Sequence, residues 1–233
     1  MTQIKPLLLL IAAVAFAVSP FLTPEFGGFD PSLYPIPQDD PPVQPAGYAF
    51  SIWSVIYLWL IASAAYGMWK RRDDAAWDAH RLPLIVSLAV GVFWLPMALV
   101  SPIGATVMIW VMLITALVAL VTAPRGDHWW AAAPIGLYAG WLTAASCVSV
   151  GLLLAGWGWT GPLVAAWAGV LLALIVSLAM IYTRAVATFG IGVAWALVGV
   201  AVQNRDGALG LALAALGLAI VVVALTFLRL RQK

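Results

Sequence analysis

The side chains in this chain best able to do chemistry in an apolar setting are aromatic rings and hydroxyls. Tyr48, Phe50, Trp53 and Tyr57 follow one another at near-helical spacing. Tyr138 and Trp141 stand three apart, which puts them side by side on a helix face, and Thr143, Ala145, Ser146 and Ser149 follow. Trp94 and Trp110 lie several residues inside apolar runs. An indole N–H or a phenol O–H joins a flat apolar body to one polar handle. A hollow lined by such groups suits flat, mostly hydrophobic molecules (planar macrocycles, sterols, lipids) better than sugars or ions. For Trp94, Trp110 and Trp141 two readings stand side by side, core packing and pocket lining. Trp69, Trp129, Trp130, Trp157 and Trp159 flank loops, where aromatic rings anchor helices at the bilayer interface.

Other chemistries lack their residues. The chain has no HExxH, no phosphate-binding Walker loop, no GxSxG and no pair of carboxylates within an apolar run. His80 and His128 are the two histidines, and both read as loop residues beside Arg81 and Asp127. Neither then reaches mid-membrane as a haem or metal ligand. Cys147 is the single cysteine, so a disulfide within the chain and a cysteine metal cluster are both excluded. The expectation is a protein that is not an enzyme and carries no cofactor or metal. A net charge of +2, scattered along the chain, offers no nucleic-acid surface. No ionisable residue sits within a span to relay protons, which disfavours a proton-coupled carrier.

The elements that must position these rings are membrane helices. Hydrophobic residues make up 64% of the chain and charged residues 9%, against about 25% charged in a soluble domain. No Lys, Arg, Asp or Glu lies between Arg81 and Arg125, or between Asp127 and Arg184. A charge at the centre of a lipid-facing helix costs roughly 2.5–3.5 kcal/mol, so these stretches are selected for a bilayer. At about 20 apolar residues per crossing, the chain divides into eight spans: 6–22, 48–69, 82–100, 103–123, 131–155, a sixth ending near Thr183, 185–202 and 207–228. Pro96 is expected to kink the third. Gly190, Gly192 and Gly199 mark the seventh as short and as a candidate broken helix. Lys5, the run 7–17 and Ala15-Phe16-Ala17 also fit a cleaved signal peptide, which would leave seven spans.

Charge supports this topology independently. With the N-terminus inside, ten of the eleven basic residues fall on the cytoplasmic side and only Arg205 on the other. The polar, Pro-rich segment 23–47 carries Glu25, Asp30, Asp39 and Asp40 with no Lys or Arg, as an external loop should. A bacterial inner membrane with both termini cytoplasmic is the expected location. Gly207, Gly210, Ala214 and Gly217 form a small-residue stripe suited to helix packing or to a homodimer contact.

The stretch Pro45-Ala46-Gly47-Tyr48-Ala49-Phe50-Ser51-Ile52-Trp53-Ser54-Val55-Ile56-Tyr57 resembles the tryptophan-rich sensory protein/translocator (TspO/MBR) family, in which a Pro-rich loop precedes an aromatic-x-Phe and a Trp-x-x-x-Tyr. Ala133-Pro134 through Tyr138, Trp141, Ala144 and Ala145 is similar to the family's fifth-helix pattern, with Ser149 where Asn is common. The resemblance covers about residues 6–151. It implies an all-α membrane bundle, with a five-helix part over 1–155 and three further helices and a basic tail over 156–233. It further implies a pocket for a porphyrin or other tetrapyrrole, a sterol or a lipid, serving sensing or translocation. Carried over, Tyr48, Phe50, Trp53 and Tyr57 line that pocket from the second helix and Tyr138, Trp141 and Ala145 from the fifth. Trp94, Trp110 and Ser149 complete the expected set, and 30–44 forms a lid. The competing readings are a small-molecule transporter, a membrane enzyme acting on lipid or isoprenoid, and an assembly partner.

Overall fold

In the computed structural model, which describes residues 4–24 and 27–232, the chain is an all-helical bundle with no strand among the described residues. Its helices are α1 (Ile4–Val18), α2 (Ile52–Lys70), α3 (Ala75–Val92), α4 (Trp94–Ala98), α5 (Pro102–Thr122), α6 (Ala132–Gly156), α7 (Pro162–Thr183), α8 (Ala187–Gln203) and α9 (Leu209–Arg231). A 3-10 turn, Ser19–Leu22, prolongs α1, and another, Gly47–Ser51, leads into α2. Six segments are long and apolar enough to cross a membrane: Ile4–Leu22, Gly47–Lys70, Pro102–Thr122, Ala132–Gly156, Pro162–Thr183 and Leu209–Arg231. The α3–α4 pair and the 17-residue apolar α8 stand where the third and seventh spans were expected. Large apolar side chains such as Leu58, Val107, Ile114, Ile175 and Ile220 are exposed on the outside, the surface a bilayer covers. The protein is therefore a polytopic membrane bundle.

Local chemistry sets the helix boundaries. Pro96 has no N–H to offer the Val92 carbonyl four residues back, and α3 ends at Val92, with Phe93 as the joint to α4. Ser101 caps α5 by accepting from the Gly104 N–H at 3.1 Å, with Pro102 in the first turn. The Asp74 side chain does the same for α3.

At the centre runs α6, buried along most of its length and built largely of Ala, Gly and Ser. Small residues let neighbours approach on every side, and α2, α5, α7 and α8 all pack against it. The closest approach is to α8. A side chain at Gly140 would run into the Phe189 backbone, and one at Gly192 would stand 2.8 Å from the Leu137 carbonyl. Thr188 seals the crossing by donating to the Ala133 carbonyl at 2.6 Å. Thus α8 is one continuous helix whose glycines admit its neighbours. The expected broken helix is not found, because those glycines accommodate Thr226, α6 and Pro45. The last helix, α9, buries Leu211, Ala215, Ala219 and Val222. In its small-residue stripe, nothing among the described residues lies near a side chain added at Gly210 or Gly217.

The basic residues gather at one end. Lys5 pairs with Asp78 at 2.6 Å, and Arg71 with Asp127 at 2.6 Å. Arg184 donates to the Val121 and Pro124 carbonyls that end α5, and Arg229 to the Tyr182 carbonyl. Arg205 lies at the opposite, loop end, beside Asp206. Glu25 and Lys233, counted in the charge partition, lie outside the described residues.

Candidate ligand-binding site

Two consecutive turns lay the first wall. Phe50 lies in the 3-10 turn, and Trp53 and Tyr57 follow on α2 four residues apart, stacked at 5.2 Å with 19° between their planes. Phe16 of α1 stands edge-on to both, 5.8 Å from Trp53 and 5.0 Å from Tyr57. Across from them, Trp141 of α6 meets Phe50 at 5.7 Å and Trp53 at 6.1 Å, edge to face each time. That is the geometry favoured by ring quadrupoles. Trp94 of α4 is held in place by donating its indole N–H to the Ala105 carbonyl of α5 at 2.9 Å. These rings, with Gly91, Leu95, Ile109, Met112, Leu142 and Ala145, enclose a cavity of about 300 Å³.

Polar atoms near the cavity are mostly committed elsewhere. Ser87 donates to the Met112 carbonyl at 2.7 Å, which spends its one hydrogen, so the Tyr138 hydroxyl donates to Ser87 across 2.9 Å. Thr143, Ser146 and Ser149 donate to the Ala139, Ile109 and Ala145 carbonyls. Trp53, Tyr57 and Trp141 are the exceptions, and Trp141 is the most buried of the three. Its indole is buried, 2% exposed, and its N–H has no partner among the described residues. An unmet donor in an apolar wall costs free energy until an acceptor arrives.

Of the expected residues, Phe50, Trp53, Tyr57, Trp94, Trp141 and Ala145 line this cavity, and Ser149 lines a smaller neighbour. Three lie on neither wall. Tyr48 sits on the exposed side of the 3-10 turn, edge-on to Trp195 at 5.7 Å. Trp110 follows the inward-facing Ile109, and one residue along a helix is a turn of about 100°, which takes it off the wall. Tyr138 is fully buried and braces the cavity from behind, 5.8 Å from Phe16. Phe16 was not expected. Its signal was the spacing of Leu9, Ala12, Ala13 and Phe16, the buried stripe of α1.

The segment 30–44, expected as a lid, is packed down as a plug; none of it lines the cavity of about 300 Å³, and Val43 and Gln44 line the smaller neighbour. Tyr34 and Val43 are buried, Tyr34 against Gly156 and Trp157, Val43 against Gly151 and Gly169. The Ile36 and Ala46 N–H groups donate to the Gly156 and Gly199 carbonyls, and Asn204 donates to the Pro42 carbonyl. The plug therefore rests on the ends of α6, α7 and α8. At the other end His80 is a residue of α3, fully buried, and not a loop residue as its charged neighbours suggested. His128 is in the α5–α6 loop. No group of three or more His, Cys, Asp or Glu able to hold a metal occurs among the described residues.

A family model for TSPO-like protein matches residues 35–228. The match begins within the plug and runs nearly to the end of α9. It thus takes in the last three helices, for which the sequence resemblance found no counterpart. No curated protein and no solved structure gives a significant match.

Proposed function

Because the chain belongs to the TSPO-like protein family, we propose that it binds a flat hydrophobic molecule inside the bilayer, for sensing or translocation, without chemical turnover. The observation that carries this reading is the 300 Å³ cavity walled by the Trp53–Tyr57 stack and by Trp141, whose N–H is unmet. Ring faces supply the affinity, and the indole N–H orients an oxygen-bearing ligand. The volume lies at the lower end of the range for small-molecule sites. Of the tetrapyrrole, sterol and lipid classes, it favours compact ring systems over a full macrocycle.

Titration of the purified protein with an oxygen-bearing fused-ring probe should quench Trp fluorescence saturably. Trp53→Ala should weaken binding at least tenfold, since it removes one face of the stack. Equal affinity in a correctly folded Trp53→Ala variant would sink the assignment. The charge partition supports a topology with both ends in the cytoplasm of a bacterial inner membrane. Reporter fusions at the two ends and within 30–44 read that directly.

A further inference from the structure

Beside the aromatic cavity lies a second one of about 60 Å³. Phe50, Trp94, Ile109, Trp141 and Ala145 belong to the walls of both, so side chains separate them. Beyond that shared partition the second cavity is lined mainly by aliphatic side chains of α6, α7 and α8, among them Leu152, Val170, Ala173, Leu197 and Val200, with Val43 of the plug. Its polar lining is Gln44 and Ser149, and the Ser149 hydroxyl is spent on the Ala145 carbonyl. Trp141 belongs to the partition, and its unmet N–H is closed off from water there, within a small ring movement of the cavities.

We propose that the two cavities are chambers of one site. A compact ring system occupies the aromatic chamber, an acceptor oxygen meets the Trp141 N–H at the junction, and a short saturated branch enters the aliphatic chamber. This rests on the binding reading above and narrows it to a ligand class: a fused-ring ketone or related oxygenated ring carrying a small alkyl group. Size sets the branch. At about 60 Å³ the aliphatic chamber is a fifth the size of the aromatic one, so it admits a short alkyl branch and not a second ring system. Phe50, half-buried and edge-on to Trp141, is one of the five side chains at the junction.

The test uses two naphthalene probes, 6-acetyl- and 6-butanoyl-2-dimethylaminonaphthalene, which share the ring and carbonyl and differ by two methylenes. Affinities are referred to free aqueous probe. Each methylene taken from water into an apolar wall is worth about fourfold, so the wild-type protein should prefer the butanoyl probe about 15-fold. Ala173→Phe fills the aliphatic chamber. It should abolish that preference, the butanoyl probe losing at least about tenfold more affinity than the acetyl probe. A preference that survives Ala173→Phe overturns the two-chamber site and leaves the binding reading standing. Absence of saturable binding of either probe to wild-type protein overturns the binding reading itself. Should Ala173→Phe not fold, Val170→Ala carries the test by enlarging the chamber. It should shift preference at least threefold toward a pentanoyl probe, and no shift overturns the proposal.

Discussion

At the basic end of the bundle, Arg81 and Arg184 lie buried with their guanidinium groups donating to main-chain carbonyls. Arg81 serves Gly67, Arg71 and Arg72 where α2 ends, and Arg184 serves Val121, Ala123 and Pro124 where α5 ends. Asp127 collects Arg71, Trp77 and Tyr66. Toward the loop end Phe50, Trp53, Trp94 and Trp141 surround the two cavities instead of a buried guanidinium. A helix terminus leaves carbonyls unpaired and carries partial negative charge, so a buried cation there satisfies both demands at once. The cleft of about 300 Å³ forgoes side-chain contacts that filled space would supply. The contrast teaches that the molecule is pinned at one end and keeps space at the other, where a ligand can supply the missing contacts.

Three measurements break or sharpen that contrast. The largest effect is expected from Arg81→Met, which leaves the carbonyls at the end of α2 without their donor. Stability should fall by about 3 kcal/mol, seen as a lower Tm in detergent. An unchanged Tm would mean that the basic end is not pinned by this residue.

Next comes Trp141→Phe at the loop end. It keeps a ring and removes the unmet N–H, so Tm should change little, while affinity for a carbonyl-bearing probe drops about fivefold. A Tm loss as large as that of Arg81→Met would make the loop-end rings structural rather than ligand-facing.

The third measurement is a pH response confined to the basic end, spread over more than about two pH units rather than seen at one condition. Burial, reinforced by the Arg81 and Arg184 charges, pushes His80 down to about 4. The unfolded chain takes up that proton near pH 6.5, and the folded protein resists it until near pH 4. The contribution is therefore whole above pH 6.5 and is lost as pH falls toward 4. Thermal melts from pH 7 to 4 should show the decline, and His80→Leu should flatten it. Probe affinity in wild-type protein should hold steady between pH 7 and 5. A decline equally steep in His80→Leu assigns the acid response to other groups, such as Asp127, whose carboxyl its bond from Arg71 holds below the usual range.

Much of the architecture was legible before folding was considered. The charge-free runs marked the helical passes, Pro96 foretold the α3–α4 joint, and the ring spacing of Trp53, Tyr57 and Trp141 pointed to the cavity. Less legible was which rings face inward. Tyr48 and Trp110 were expected on the wall and are not there, whereas Phe16 is. His80 looked like part of a charged loop and is buried on a helix, because Arg81 beside it folds back onto α2 carbonyls.

What the amino-acid order determined alone is residence in a bilayer, the approximate course of the chain through it, and the segregation of positive charge to one end. Each follows from the cost of placing charge in hydrocarbon, a property of segments taken one at a time. Only the tertiary structure decided which faces meet, where the void lies, and that α7 and α8 help to build a second chamber. The physical reason is that lipid and protein core are equally apolar, so hydropathy gives a membrane helix no inside face. Rotation about each helix axis was settled by close contacts, such as Gly140 against Phe189 and Tyr34 against Gly156, between residues far apart in the chain.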